Sequence, residues 1–569
     1  LALVGGLLLL GFIAVLILDV VRIRSDLTAG QDQLSHIQLT QLESRASIEA
    51  SLGTADRRLR AGSGLARDSI PLKALALLPK VGTQVRAARQ MSAAAAQVGD
   101  IAYQAAVTAR SQLDAPRSGP ADRLRLIDSL RTDLARVGRQ LDQVQPHAEG
   151  PLLGTLARAR VRLVDKLAKA KAQVADGLQV AGALRTMLAG PRTYLILAGN
   201  NAEMRSGGIT TAAGLMHFDA GDLQTGAFIS SFDLFLPDAN AKRVSVPPEI
   251  KNLYGWMSPG QEWRTTDTSP NWPEVARIYA QMSAQSPFGP VDGVVFVDVV
   301  TLRSVLDVVG PVTVQDFRYT ADNVLGQLLY TNYLQFPTAD QTSSRRDVQS
   351  QVARAAFSAL RGGSFSLPKL AHLLTDDARG RHLLAWSSNP AEEAMWTKLG
   401  FDGALRPDGL MVSVQNVSAS KLDYFINPKV GVHVQPFSEH QQVDLTVTIT
   451  NPRRAGSSAY VEGGSAGYVV PGDQRVFVLL YLPGAAYNVV SHEVAFTAGG
   501  TDGGMTVAGM IYIVPYGQTR QVHVGFSLPP DVHSVMLLPS SRLVPIPVVV
   551  DSGHGPYGAT DAVPNRLPF

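Results

Sequence analysis

The chain has 569 residues, of which 45% are hydrophobic and 17% charged, and its net charge is +3. This composition excludes a disordered chain and a polytopic membrane protein, and the length points to three or four folded units. So small a charge supplies no concentrated basic face for a nucleic acid, and the absence of cysteine removes disulfides, thiolate metal sites and cysteine nucleophiles.

Residues 1–18, LALVGGLLLLGFIAVLIL, carry no charge and as a helix would reach about 27 Å, close to the thickness of a bilayer's hydrocarbon core. The run passes into Asp19, Val20, Val21 and Arg22 without the small-residue cleavage site of a signal peptide. A single transmembrane anchor over 1–21 is the reading. Arginine outnumbers lysine 40 to 11, a bias that suits a GC-rich genome such as an actinobacterium's.

Residues 22–190 read as helices in a bundle or coiled-coil stalk. Ile127, Leu130, Leu134, Val137, Leu141 and Val144 recur at three- and four-residue steps. A second stripe runs from Leu156 to Leu188, interrupted by Arg160 and Gly177. Arginines along these helices fit a solvated face, or a contact with anionic lipid or glycan. At Tyr194 the period changes. TYLILAGN, GGITTAAGLMHFDAG and VDGVVFVDVV read as strands, with helices over 273–281, 301–309 and 345–360, so 191–430 is expected to be an α/β domain. From 431 to 550 the pattern is all β. Val443, Leu445, Val447 and Ile449 alternate with Asp444, Thr446, Thr448 and Thr450, and a β-sandwich fits. The proline-rich residues 551–569 read as a tail.

Most site signatures are missing from the sequence, including a phosphate loop, paired zinc histidines and a dinucleotide fingerprint. Gly463-Gly464-Ser465-Ala466-Gly467 fits the nucleophile-elbow pattern, which requires a strand before it and a helix after it. The expected site lies in the α/β domain. Asn200-Asn201-Ala202-Glu203-Met204-Arg205-Ser206-Gly207-Gly208 follows a hydrophobic strand, and an arginine beside amides and glycines suits a phosphate. SSRRDVQSQVARAAFSAL opens a helix with Arg345, Arg346 and Arg354; Arg346, Ser350 and Arg354 share a face and could grip a pyrophosphate. A solvated or salt-bridged surface is the competing reading of those arginines. Asp233 and Asp267 are candidate Mg²⁺ ligands.

LLPKVG, YLILAGNNAEMRSGG, VDGVVFVDVVTLRSVLDVVGPVTV and VQNVSASKLDYFI resemble a family of bacterial membrane proteins, the domain of unknown function 4012. The third of these, with SSRRDVQSQVARAAFSAL, is also distantly similar to the LytR-CpsA-Psr family. That resemblance implies a LytR-CpsA-Psr-like α/β fold, a single-pass anchor with the bulk outside the cytoplasm, and Mg²⁺-dependent transfer of polyprenyl-pyrophosphate-linked glycans to peptidoglycan. It would have Arg346 and Arg354 hold the pyrophosphate and Arg205 sit where that family has an arginine near its first strand. Where that family has Ser-x-Pro-Arg-Asp this chain has Ser230-Ser231-Phe232-Asp233-Leu234, keeping the aspartate without the arginine. Ala355 follows Arg354 where the family has an Arg-Gln pair. Three functions stay open: assisting cell-wall or surface-glycan assembly by binding a lipid-linked glycan or a partner envelope protein; glycan phosphotransfer; and a non-catalytic surface scaffold or adhesion role.

Overall fold

The structure, a computed structural model, describes residues 45–569 except 80, 115–118, 147–150, 338–340, 363–364, 453–457, 464–466, 468 and 554. The transmembrane anchor expected over 1–21 lies outside the described residues. Among those described, no helix is long and apolar enough to cross a membrane. The expected fold class is therefore corrected, for the described residues, to a mixed helical and β fold with no membrane-spanning helix among them. The chain divides into two compact units, residues 1–186 with 367–372, and residues 187–366 with 373–569.

In the first unit, four long helices share one core: α1 (Arg45–Asp68), α3 (Val81–Asp114), α4 (Pro120–Gln143) and α5 (Gly154–Ala189). The short α2 (Ile70–Leu75) lies between the first two, with the Ser69 hydroxyl accepting from the Leu72 amide at its start. Leu59, Met91, Ile101, Val137, Leu141, Leu163 and Leu167 meet inside. Of the sequence stripe on α4, Ile127, Val137, Leu141 and Val144 are buried. Gly99 sets the spacing of α1 and α3, because a Cβ there would come within 2.8 Å of Leu59 Cδ1. Gly177, an interruption in the α5 stripe, faces Leu134, and Arg160 points to solvent.

The second unit begins with a mixed sheet. Its strands are β1 (Arg192–Met204), β2 (Gly208–Asp219), β3 (Asp222–Thr225), β4 (Ile229–Ser230) and β5 (Gly293–Val297). A small hairpin follows, β6 (Val312–Val314) and β7 (Phe317–Tyr319), and then β8 (Leu383–Ser387) completes the main sheet. The order is β3-β2-β1-β5-β8, with β4 beside β2; β1 and β5 are parallel and the other pairs antiparallel. Helices α6 (Pro248–Tyr254) and α7 (Trp272–Ala284) cover the face that carries Leu195, Leu197, Val294 and Phe296. Helices α8 (Val299–Val309) and α9 (Thr342–Gly362) serve the other face. Later come α10 (Leu367–Arg379), of which residues 373–379 belong to this unit, and α11 (Pro390–Leu399).

Two six-stranded sheets complete the unit. One has the order β13 (Tyr487–Ser491), β16 (Thr519–Leu528), β11 (Gln441–Thr450), β10 (Lys429–Pro436), β18 (Pro547–Asp551), β19 (Tyr557–Thr560). The other runs β14 (Ala498–Asp502), β15 (Met505–Val514), β12 (Gln474–Leu482), β9 (Gly409–Asn416), β17 (Ser534–Leu537), β20 (Asn565–Pro568). Val443, Leu445, Val447 and Ile449 of β11 are all buried, as their alternation requires. The sandwich reaches beyond the expected 431–550. β9 lies in the middle of a sheet, and residues read as a tail supply β19 and β20, which close an edge of each sheet. Nor is the sandwich a separate body: Phe477, Leu479 and Tyr481 of β12 share a core with Leu195, Trp263 and Tyr279.

Candidate binding cavity

The cavity floor follows from strand register. Ala198 of β1 stands opposite Ala212 of β2 and beside Val297 of β5, and Ala212 pairs with Ser230 of β4. Two alanines therefore occupy the centre of this face, where a covered sheet ordinarily presents Val, Ile or Leu. The roof is α9, which turns Gln349, Ser350, Ala353, Ala356 and Phe357 toward the floor while Val348 and Val352 enter the neighbouring core. Small side chains face small side chains. What remains is a cavity of about 440 Å³, walled also by Phe228, Ile229, Leu302, Val305 and Leu328. Native interiors leave few voids larger than a water, whereas ligand pockets commonly measure ~300–1,000 Å³. Ala353, Phe357, Phe228 and Ile229 are only half-buried, so the apolar wall reaches solvent.

Two carboxylates line it. Asp233 is exposed, at the open side. Asp298 is buried and its oxygens are occupied. It caps α8 by accepting from the amides of Val300 (2.9 Å) and Thr301 (3.2 Å), and it accepts from Asn201 Nδ2 (2.7 Å) and His382 Nδ1 (2.6 Å). Burial pulls the His382 imidazole down, but the Asp298 carboxylate outweighs it and the ring ends above the usual histidine range. Asp377 is pushed up to about 7 by burial, opposed by the Ser304 hydroxyl that donates to it at 3.1 Å. This buried chain fixes the junction of β5, α8 and β8. Neither Asp298 nor His382 stood out in the sequence; the Asp298-Val-Val-Thr301 segment, an aspartate just ahead of a helical run, was the signal available.

Of the arginines expected to converge on a pyrophosphate, Arg205, Arg345 and Arg354 do not line this cavity. Arg205 is buried, donating through Nη1 to the carbonyls of Asn416 (2.6 Å) and Met204 (3.1 Å), with Nη2 3.2 Å from Glu203. Glu203 also pairs with Lys421, and the two cations hold its carboxyl below the usual range in spite of its burial. Arg345 is buried with its guanidinium 4.1 Å from the ring centre of Tyr460 and bonded to the Phe336 carbonyl. Arg354 is exposed, its Nε donating to the Ser350 carbonyl at 3.3 Å. The side chain of Arg346 lies outside the described residues. Asn200 lines the cavity and donates to Tyr333 Oη at 2.7 Å. The Asn-Asn-Ala-Glu-x-Arg motif thus braces the irregular end of β1, where the pairing with β2 shifts register.

Of the two candidate Mg²⁺ ligands, Asp233 lines the cavity and Asp267 does not. Asp267 is buried away from the cavity lining, accepts from Thr210 Oγ1 at 3.3 Å, and is pushed up to about 7 by burial against the pull of Arg205. Among the described residues no group of three or more His, Asp or Glu side chains could hold a metal ion. Gly463 follows a one-turn helix, Ala459–Glu462, instead of the strand a nucleophile elbow needs, and Gly464–Ala466 lie outside the described residues.

Residues 189–333 match one family model. Its description is protein of unknown function (DUF4012). The matched segment carries the cavity floor and Asp298 and stops before the roof helix α9. No curated protein and no solved structure matches the chain.

Proposed function

We propose that the second unit binds the apolar tail of a lipid-linked glycan, and that the protein assists cell-wall or surface-glycan assembly by holding that lipid. The observation that carries this reading is the alanine-floored, alanine-roofed cavity. Its walls are mostly aliphatic and aromatic, which favours a hydrocarbon over a sugar or a free phosphate. The distant similarity to LytR-CpsA-Psr proteins supports a polyprenyl chain as that hydrocarbon. Glycan phosphotransfer is less well supported. Arg205 and Arg345 are committed to internal partners, and stabilising a transferring phosphoryl group requires positive charge aimed at it.

Equilibrium binding of a polyprenyl phosphate, measured for the wild type and for Ala353→Trp, tests the reading. Wild-type binding that the variant loses, with the same circular dichroism, is the expected result. Equal binding by both proteins would place the lipid elsewhere and end the proposal.

A further inference from the structure

The helical unit has an apolar tip with no counterpart in its core. Ile70 is 76% exposed and Leu77 is 85% exposed, and Leu78 and Val81 beside them are about half exposed. The start of α5 joins this corner. Gln84 donates to the Pro151 carbonyl (2.7 Å) and accepts from the Leu153 amide (2.9 Å), bringing exposed Leu153 to the same end. From there Ala157, Val161 and Val164 line a shallow surface recess, on the side of α5 away from buried Leu163 and Leu167. Scattered exposed apolar residues are ordinary; five large ones gathered at one end of a small helical unit are not.

The charge beside the tip decides what would cover it. Residues 151–175 hold six basic side chains and one acidic, and Arg158, Arg160 and Arg162 are all exposed in the first turns of α5. An apolar tip flanked by cations is the pattern of a surface that enters the headgroup region of an anionic bilayer. A protein core would bury the leucines without needing the arginines. A second copy of this tip would bring like charges together.

We infer that the tip formed by residues 69–79, 81–82 and 151–164 docks on anionic lipid, inserting Leu77 and its neighbours among the headgroups while the α5 arginines meet phosphates. This is peripheral contact. It uses no part of the cavity and does not depend on the lipid-tail reading.

The chain has no cysteine, so a single introduced thiol can be labelled selectively. Leu77→Cys carries an environment-sensitive dye in the full chain, with Ser111→Cys as the control. Ser111 lies thirty residues beyond Val81 on α3, about 45 Å from that end of the helix by helical rise. Phosphatidylcholine vesicles with phosphatidylglycerol should blue-shift the dye at position 77 and expose it to a lipid-borne quencher, leaving position 111 unchanged. High salt, or Arg158→Glu with Arg162→Glu, should reverse the shift. Because the readout is local, binding of vesicles through residues 1–18 alone would leave position 77 silent and overturn the proposal. A shift that needs no vesicles and grows with protein concentration would overturn it in favour of self-association.

Discussion

Replacing Ala353 by leucine gives a stability change whose sign tests the cavity. In a packed core the added carbons must displace neighbours, and overpacking costs about 1–3 kcal/mol. Here Ala353 faces a cavity of about 440 Å³ whose opposite floor is Ala198 and Ala212, so the new side chain has space. Three more carbons leaving water at ~0.8 kcal/mol each set a ceiling near 2.4 kcal/mol. Position 353 is half-buried and leucine gives up a little helix propensity, so a gain of about 1 kcal/mol is expected. Urea unfolding with the midpoint and slope both fitted is the assay, performed without lipid. A higher midpoint at unchanged slope is predicted, with weaker lipid binding. Destabilisation by more than about 1 kcal/mol would refute the account of an open, alanine-lined space.

Other consequences follow from the buried network. Arg205→Met leaves Glu203 with Lys421 as its remaining cation and should cost about 3–5 kcal/mol in urea unfolding, whatever the protein binds. Asp267 is held at about 7 when folded, above its unfolded value, so the folded state binds the extra proton. That stability is present at low pH and is lost as pH rises toward 7. Asp267→Asn should therefore match the wild type near pH 4 and exceed it by about 1–3 kcal/mol at pH 8, read from thermal melts at the two pH values. Asp298→Ala removes the α8 cap and the partner of His382. It should cost about 2 kcal/mol or more in urea unfolding and return the His382 titration, followed by NMR, toward lower pH. Arg354→Ala, on an exposed guanidinium, should change stability by less than about 0.5 kcal/mol in urea and leave tail binding intact in the same equilibrium assay.

The parts of the fold that were legible are those with a local period. The α4 stripe, eighteen residues long, and the alternation in β11, seven residues long, each name an inward face; that of β11 is wholly buried and that of α4 is buried at Ile127, Val137, Leu141 and Val144. β9 is buried on both faces, so it shows no alternation, and its place at the centre of a sheet depends on partners at 476–481 and 536–537. The final strands were hidden by their prolines and glycines, since edge pairing needs little hydrophobic pattern. The NNAEMR segment and the helix opened by SSRR both contribute to the cavity, since Asn200, Ser350 and Ala353 line it. Arg205 and Arg345 have internal partners. Glu203, near the end of β1, sits two residues before Arg205, just past it, and that spacing could have suggested an internal pair. Lys421 and Asn416, some two hundred residues on, could not be paired with them by any local rule. A cavity is harder still to read, since it is made by alanines that look like ordinary filler until the register sets them opposite one another.

The most direct test of the central claim is photo-crosslinking with a polyprenyl phosphate whose tail carries a diazirine, followed by mapping of the labelled peptides. The account predicts label on the roof and wall, in peptides containing residues 349–357 and 228–230, competed by unlabelled polyprenyl phosphate and lost in Ala353→Trp. Label confined to the β-sandwich strands or to the helical unit, with the cavity peptides recovered unmodified, would contradict it.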